Sequence, residues 1–219
     1  MIFYNDPRSL FSEYKLIFKN KIYYFESQTK TPLIIDGGSH IGLSILYFKH
    51  IYPTSKIIGF EPDQETLAML KKNINNLADI KIVESGLYSQ DGEISFDSDK
   101  TDGGRISNEG RDKIKVERLS KYINSEVDFL KLNIEGAELE VLKDLDTTGK
   151  LGLIKELVLE WHSFAGRKQN LGELLMILER NGFKYLINHF DYRVNPRLKP
   201  PFKLSDKSQY YLLIYGKKV

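Results

Sequence analysis

Short runs of apolar and β-branched residues recur along this chain and alternate with amphipathic segments. Runs of this kind, bounded by turn residues, predict buried strands. Because amphipathic segments separate the first five runs, the pattern predicts right-handed crossovers and an α/β fold with a doubly wound, mostly parallel sheet. The predicted strands cover residues 33–35, 56–60, 80–83, 129–134, 157–159, 183–187 and 210–215.

Helical apolar spacing marks segments between these strands. The predicted helices cover residues 42–50, 65–76, 119–124, 137–145 and 171–180. The last two strands have no predicted helix between them, and their connection contains Pro196, Pro200 and Pro201. We therefore expect the last strand to pair antiparallel with its neighbour and to close an otherwise parallel sheet.

Two segments depart from this alternation. Residues 1–30 are rich in Tyr and Phe, and we interpret them as an N-terminal cap on a domain that covers residues 31–219. Residues 97–111 are polar and contain three glycines, so they are predicted to form a loop that contributes little to a core. A mobile lid and a plain hairpin connection both fit a loop of this length.

The amino-acid composition excludes or disfavours several classes of function. The chain has 219 residues, with 32 Lys and Arg against 30 Asp and Glu, so its charge is nearly balanced. This balance favours a small-molecule partner over nucleic acid, which requires a basic surface. The absence of cysteine excludes disulfides, a thiolate nucleophile and cysteine zinc sites. No secretion signal or membrane span is evident, so a cytoplasmic location is expected by default.

The first predicted strand runs into a glycine turn and then an apolar helix, in the segment LIIDGGSHIG. Its spacing, D-x-G-x-x-x-G, matches neither the dinucleotide fingerprint nor the P-loop. A carboxylate before the glycines would repel a pyrophosphate but would hold an ammonium group, which favours S-adenosylmethionine. Glycines let a backbone approach a ligand closely, and a helix N-terminus attracts a carboxylate. The predicted cofactor contacts here are Asp36, Gly37, Gly38, Ser39, His40 and Gly42.

The second predicted strand ends in the sequence GFEPD, which places Glu61 25 positions after Asp36. An acid at the end of the second strand is well placed to accept hydrogen bonds from both ribose hydroxyls of a nucleoside. Taken alone, Glu61 fits a helix-capping carboxylate better than a ligand contact. Its combination with the glycine loop favours the ligand role, and Pro62 is included as a neighbouring contact.

Four segments carry a resemblance to a known family: IIDGGSHIG, GFEPD, VDFLKLNIEGAELEVL and LVLEWH. In this order and spacing they resemble the FkbM family of S-adenosylmethionine-dependent methyltransferases, from about residue 32 to about residue 190. The resemblance implies a Rossmann-like, seven-stranded sheet with an antiparallel last strand. It also implies S-adenosylmethionine as cofactor and O-methylation of a sugar or another natural-product hydroxyl.

The chain departs from that family at two positions. Many members carry Asn where this chain has His40, and Asp where it has Asn133. The second departure weakens a mechanism that uses a carboxylate there as a base or a metal ligand. After the third strand, Ser85, Gly86 and Leu87 occupy the place where adenine contacts commonly lie in this fold.

Polar side chains gather at the ends of two neighbouring predicted strands. Strand alternation puts Asn133 and Glu135 on one side of the fourth strand, and the same period aligns Glu160 with His162 on the fifth. An unperturbed imidazole titrates near neutrality, so His162 is the predicted general base. Glu160 would orient it, and Glu135 would hold the substrate or the base. The structural alternative is a packed histidine with buried carboxylates satisfied by backbone N–H groups.

The leading hypothesis is therefore an S-adenosylmethionine-dependent O-methyltransferase of a small molecule, with N-methylation as a close variant. The alternatives are a nucleic-acid or protein methyltransferase on the same fold and a non-catalytic S-adenosylmethionine-binding protein. The polar cluster could bind Mg²⁺, but no metal is predicted because it lacks a clear pair of aspartates. The sequence does not indicate an oligomeric state.

Overall fold

Strands in two sheets and five α-helices make up the described part of the computed structural model, residues 2–97, 105–106, 112–189 and 210–219. In chain order the strands are β1 (Leu33–Gly37), β2 (Lys56–Phe60), β3 (Ile80–Val83), β4 (Gly86–Tyr88), β5 (Gly92–Asp97), β6 (Arg105–Ile106), β7 (Asp112–Arg118), β8 (Val127–Leu132), β9 (Ile154–Ser163), β10 (Phe183–His189) and β11 (Tyr210–Lys218). The α-helices are α1 (Pro7–Tyr14), α2 (Leu43–Ile51), α3 (Gln64–Ile74), α4 (Glu138–Thr147) and α5 (Leu171–Arg180).

The main sheet has seven strands in the order β3-β2-β1-β8-β9-β11-β10. The pairs from β3 through to β9 are parallel, whereas β11 pairs antiparallel with both β9 and β10. The last strand in the chain, β11, is therefore inserted between β9 and β10, and β10 forms the edge of the sheet. The prediction of a doubly wound, mostly parallel sheet with an antiparallel last strand is confirmed. Since the strand order reverses between β1 and β8, the carboxyl ends of these strands border the crevice where open α/β sheets bind ligands.

A second sheet, in the order β4-β7-β5-β6, lies outside the predicted elements. Its strands are short and mix charged with apolar residues, as in DKIKVER of β7, so they lack the continuous apolar run that identifies the central strands. Within the predicted loop 97–111, Arg105 and Ile106 form β6 and pair antiparallel with β5, which corrects the prediction there. Residues 98–104 and 107–111 lie outside the described residues, so the lid hypothesis stays untested.

Helices α2, α3, α4 and α5 agree with predicted helices to within a few residues, whereas α1 lies in the segment interpreted as a cap and was not predicted. Residues 119–122 form a 3₁₀-helix rather than the predicted α-helix. Polar residues begin two of the helices. Asp63 accepts the N–H of Thr66 at 2.8 Å at the start of α3, and Asp6 accepts the N–H of Ser9 at 2.8 Å at the start of α1. Such caps satisfy N–H groups that have no partner inside the helix.

Apolar side chains cover both faces of the main sheet. One cluster packs α4 and α5 against it, and the other packs α2, α3 and the N-terminal segment. Ile17, Ile22, Tyr23 and Phe25 are buried in the second cluster, and the Phe25 ring stacks on Phe129 of β8 at 4.4 Å. The predicted cap is thus anchored in the core, although its boundary at residue 30 stays a prediction.

Candidate active site

The glycine loop, residues 37–42, turns at the carboxyl end of β1. The N–H groups of Gly38 and Ser39 both donate to the Phe60 carbonyl, at 3.1 and 2.9 Å, and the N–H of Asn133 donates to the Gly37 carbonyl at 3.1 Å. These hydrogen bonds attach the loop to the ends of β2 and β8. The structure therefore brings together three of the predicted segments at one edge of the sheet.

Gly38 and Gly42 have positive φ angles of 77° and 92°. A Cβ at Gly38 would lie 1.9 Å from the carbonyl oxygen of Asn133, and one at Gly42 would lie 2.8 Å from Leu70 Cδ1. Both glycines are predicted to let the backbone approach a ligand closely, and that contact stays a prediction. The structure adds a reason within the protein, because a Cβ would meet the end of β8 at Gly38 and α3 at Gly42.

A buried ion pair lies beneath this loop. Asp36 is fully buried, and its Oδ1 lies 3.1 Å from Nζ of Lys131 on the neighbouring strand. The Lys131 ammonium also donates to the carbonyls of Gly37 and Gly38, at 3.1 and 2.6 Å, and Ser44 Oγ donates to Asp36 Oδ2 at 2.6 Å. The ammonium beside Asp36 is thus the protein's own, and a contact from Asp36 to a ligand ammonium stays a prediction.

Glu61 connects the end of β2 to the glycine loop. It is 7% exposed, and its two carboxylate oxygens accept the N–H groups of His40 at 2.9 Å and Asp63 at 3.0 Å. Burial raises the pKa of Glu61, while the Asp63 hydrogen bond and His40 oppose the rise. The side-chain cap of α3 comes from Asp63, not from Glu61. Pro62 follows, half-buried, before that cap.

Residues of the N-terminal segment also lie at the edge of the sheet where β1, β2 and β8 end. His40, whose φ angle is 48°, places Nδ1 3.0 Å from the Glu13 carboxylate of α1. Tyr23 is 5% exposed, and its ring lies 5.6 Å from the Lys131 ammonium. Sequence reasoning missed Tyr23, because no local pattern distinguishes it among the aromatic residues of the segment.

Tyr23 also indicates the electrostatic character of this edge. Burial raises the pKa of Tyr23 well above its usual value, and the negative charges of Glu160, Asp36 and Glu13 raise it further. The hydroxyl therefore stays protonated at neutral pH and is available as a hydrogen-bond donor.

His162 lies among three carboxylates at the ends of β8 and β9. Its Nε2 is 3.5 Å from Glu135 and 3.6 Å from Glu160, and its Nδ1 is 3.7 Å from Glu138. Glu135 has a φ angle of 54°, a strained conformation typical of functional sites. Glu138 was missed, although its place just after the glycine of I-E-G-A-E suggests a capping acid. It is 1% exposed and accepts the N–H groups of Ile134 at 3.1 Å and Gly136 at 3.3 Å.

The carboxylates change the expected role of His162. Burial lowers the pKa of His162, but the negative charges of Glu135, Glu138 and Glu160 outweigh burial and raise it to about 10. Burial raises the pKa of Glu160, opposed by the charges of His162 and Lys131. This raised pKa argues against the predicted neutral imidazole base, and the catalytic role of His162 stays a prediction. At neutral pH the imidazole is a cation, and the carboxylates are the groups able to accept a proton.

The three residues after β3 have separate environments. Ser85 is fully buried, and Leu87 is 2% exposed and packs in the main core. A Cβ at Gly86 would contact Val116 of β7. Of the predicted adenine contacts, only Ser85 presents a polar side-chain atom.

Several site residues hold buried polar atoms that have no hydrogen-bond partner among the described residues. They include Ser85 Oγ, Asn133 Oδ1 and His162 Nδ1. Buried polar groups in native proteins are almost always paired, so such atoms indicate a place for a ligand or water. Their concentration at the predicted site fits a polar ligand at this edge.

Within the described ranges, no group of three or more His, Asp or Glu side chains has the arrangement of a metal site. The prediction of a metal-free site stays a prediction. None of the described helices is long and apolar enough to cross a membrane.

The seven-stranded order and the glycine loop at the switch point define a Rossmann-like methyltransferase fold. The family model described as "Methyltransferase FkbM domain" matches residues 36–185. This chain therefore belongs to the FkbM methyltransferase family, and the resemblance noted in the sequence is confirmed. The enzyme class follows: the chain is a methyltransferase.

Individual relatives support this assignment. The chain is 28% identical over 212 residues to "Methyltransferase sdnD" of Sordaria araneosa, covering 78% of this chain and 80% of that protein. It is 26% identical over 210 residues to "Methyltransferase 1" of Beauveria bassiana, covering 82% and 83%. The crystal structure of methyltransferase FkbM from Methylobacillus flagellatus KT matches with a TM-score of 0.59 and 18% identity. That match covers 92% of this chain but only 47% of that protein, so this chain spans about half of its length.

Gly38→Ala is expected to destabilise the fold itself, because the added Cβ meets a backbone oxygen of β8. The free energy of unfolding, measured by chemical denaturation, should fall by more than about 1 kcal/mol, as for alanine at a positive φ. Gly172→Ala is the control, since a Cβ there in α5 meets no atom within 4 Å. It should leave stability unchanged or raise it by up to about 1 kcal/mol. A Gly38→Ala protein as stable as wild type would contradict the packing role.

His162 is expected to remain doubly protonated through the neutral range, because its pKa is raised from 6.5 to about 10. Its charge therefore stabilises the fold fully below the unfolded pKa, and this contribution is lost as the pH rises through about 10. Titration of ¹⁵N-labelled imidazole by NMR measures the pKa directly. Replacing both Glu135 and Glu160 with Gln should lower it. A wild-type midpoint near 6.5 would show that the carboxylates do not hold the proton.

Proposed function

We propose that this methyltransferase uses S-adenosylmethionine and transfers the methyl group to a hydroxyl of a small molecule, such as a sugar or a natural-product intermediate. The observation that carries the proposal is Glu61, which joins the end of β2 to the glycine loop while keeping acceptor capacity. An ionised carboxylate offers about four acceptor positions. The two backbone N–H groups leave room for two ribose hydroxyls.

Other residues fit the remaining parts of the donor. The unpartnered oxygens Ser85 Oγ and Asn133 Oδ1 would accept from its polar groups. The N-terminal N–H groups of α2, which has no side-chain cap, would meet its carboxylate. S-adenosylmethionine supplies a methyl group on a sulfonium, ready for in-line displacement. The protein's contribution is then mainly to align the acceptor oxygen, and alignment alone supplies much of the acceleration in such reactions.

We assign Glu160 as the general base. Its side chain is 15% exposed at the end of β9, and burial raises its pKa, which makes it a stronger base than an ordinary carboxylate. It accepts the hydroxyl proton as the new carbon–oxygen bond forms. The His162 imidazolium, 3.5 to 3.6 Å from Glu135 and Glu160, holds both carboxylates in place. Asn133 is an amide and cannot take the proton, which leaves the carboxylates of the site as proton acceptors.

S-adenosylmethionine and S-adenosylhomocysteine are expected to bind with micromolar affinity, and NAD is not, in isothermal titration calorimetry and thermal shift. Glu61→Gln should weaken binding about 10- to 100-fold, the scale of one charged hydrogen bond. Glu84→Gln is the control, because Glu84 is an exposed carboxylate that pairs with Lys71. If Glu61→Gln bound S-adenosylmethionine as tightly as wild type, the assignment of Glu61 to the cofactor site would be wrong.

Glu160→Gln should leave S-adenosylhomocysteine affinity intact while lowering turnover by about two to four orders of magnitude, the usual range for a lost general base. Turnover is measured with labelled S-adenosylmethionine on an acceptor found by screening hydroxylated small molecules. Glu156→Gln, on the same strand and paired with Lys217 at 3.0 Å, should turn over normally. Full activity of Glu160→Gln would mean that the proton leaves by another route.

A further inference from the structure

A cavity of about 70 Å³ opens beside His162, at the carboxyl end of β9. Its walls come from the first turn of α4, from Trp161, His162 and Ser163, and from the segment 164–170 before α5. Segment 164–170 is attached to β9, because the buried Trp161 of that strand donates its indole N–H to the Asn170 side chain at 2.8 Å. The cavity therefore has a supported wall and adjoins His162, whose Nε2 lies 3.6 Å from the proposed base Glu160.

An aromatic contact joins the reaction centre to the rim of this cavity. The rings of His162 and Phe164 are stacked, with centroids 5.6 Å apart and planes inclined by 12°. The Arg167 guanidinium lies 5.4 Å from the centroid of the same Phe164 ring. The stacking of arginine on an aromatic ring restricts its orientation and favours planar contacts with anions.

The ionisable groups of the cavity are unevenly distributed. Arg167 and Lys168 are exposed at its rim, whereas Glu138, the carboxylate lining it, is 1% exposed and turned to backbone N–H groups and His162. Glu135 and Glu160 do not line the cavity, but they lie 3.5 and 3.6 Å from Nε2 of His162, so the imidazolium and its three carboxylates together carry a negative net charge. The cavity thus has a cationic rim and an acidic inner end.

We propose that this cavity is the acceptor subsite and that the acceptor carries an anionic group, a carboxylate or a phosphate, bound by Arg167 and Lys168. The inference rests on the proposed function and names the substrate class of that same site. The acidic inner end repels the anion and accepts hydrogen bonds from a hydroxyl, so the two ends together orient the acceptor. The anion then faces outward and the hydroxyl faces Glu160.

Saturation-transfer NMR with S-adenosylhomocysteine present tests this on three probes: methyl glucuronide, methyl glucoside and glucose 6-phosphate. One or both anionic probes should bind at least about tenfold more tightly than methyl glucoside, the scale of one charge-assisted hydrogen bond. The carboxylate and phosphate arms distinguish the two anions. The preference should shrink at high ionic strength, because exposed charges are screened.

The double variant Arg167→Gln, Lys168→Gln should lose the preference for anions. Lys155→Gln is the matched control, since Lys155 is an exposed lysine at the other end of β9, paired with Glu126 and Asp128. Equal binding of charged and neutral probes, binding of none of them, or a preference that survives in the double variant would overturn the inference. S-adenosylhomocysteine affinity, measured on the same samples, reports separately on the proposed function.

Discussion

The buried pair of Asp36 and Lys131 is the contact on which the site depends. Asp36 and Lys131 occupy directly paired positions of β1 and β8, so the register of the two central strands brings their charges together. The same ammonium holds the carbonyls of Gly37 and Gly38, and the same carboxylate holds Ser44 at the start of α2. Removing one partner of such a pair typically costs about 3 to 5 kcal/mol, because a buried charge is left alone. One ion pair thus fixes strand, loop and helix together.

His162 is the second cation of the site and, like Lys131, it lies close to carboxylates at the ends of neighbouring strands. His162 is held protonated by three carboxylates, and both His162 and Lys131 lower the pKa of Glu160 against the effect of burial. Carboxylates still outnumber cations at this edge of the sheet. A surplus of negative charge suits the proposed sulfonium donor, and it fits the proposal that a carboxylate accepts the proton.

Sequence patterns predicted those features of the structure that depend on the local spacing of apolar and polar residues. The strands of the main sheet, the glycine loop and the polar residues at the ends of β8 and β9 all follow from period and order. The pKa of His162 does not, because Glu138 reaches it from the turn into α4 and burial is set by the whole fold. The packing contact of Gly38 does not follow from periodicity either, because the atom that a Cβ there would meet belongs to Asn133, which is distant in sequence. The second sheet escaped detection since its short strands carry charges on an exposed surface.

The N-terminal segment, residues 1–30, contacts the candidate active site although it lies before the predicted domain boundary. Glu13 pairs with His40 of the glycine loop, and the Tyr23 ring lies 5.6 Å from the Lys131 ammonium. Asn73 of α3 adds a bridge, since its side chain donates to the carbonyls of Phe3, at 2.9 Å, and Ile41, at 2.8 Å. Residues before position 30 therefore supply contacts that the loop cannot make with the sheet alone. The geometry of the proposed donor site depends on this segment as much as on the strands beneath it.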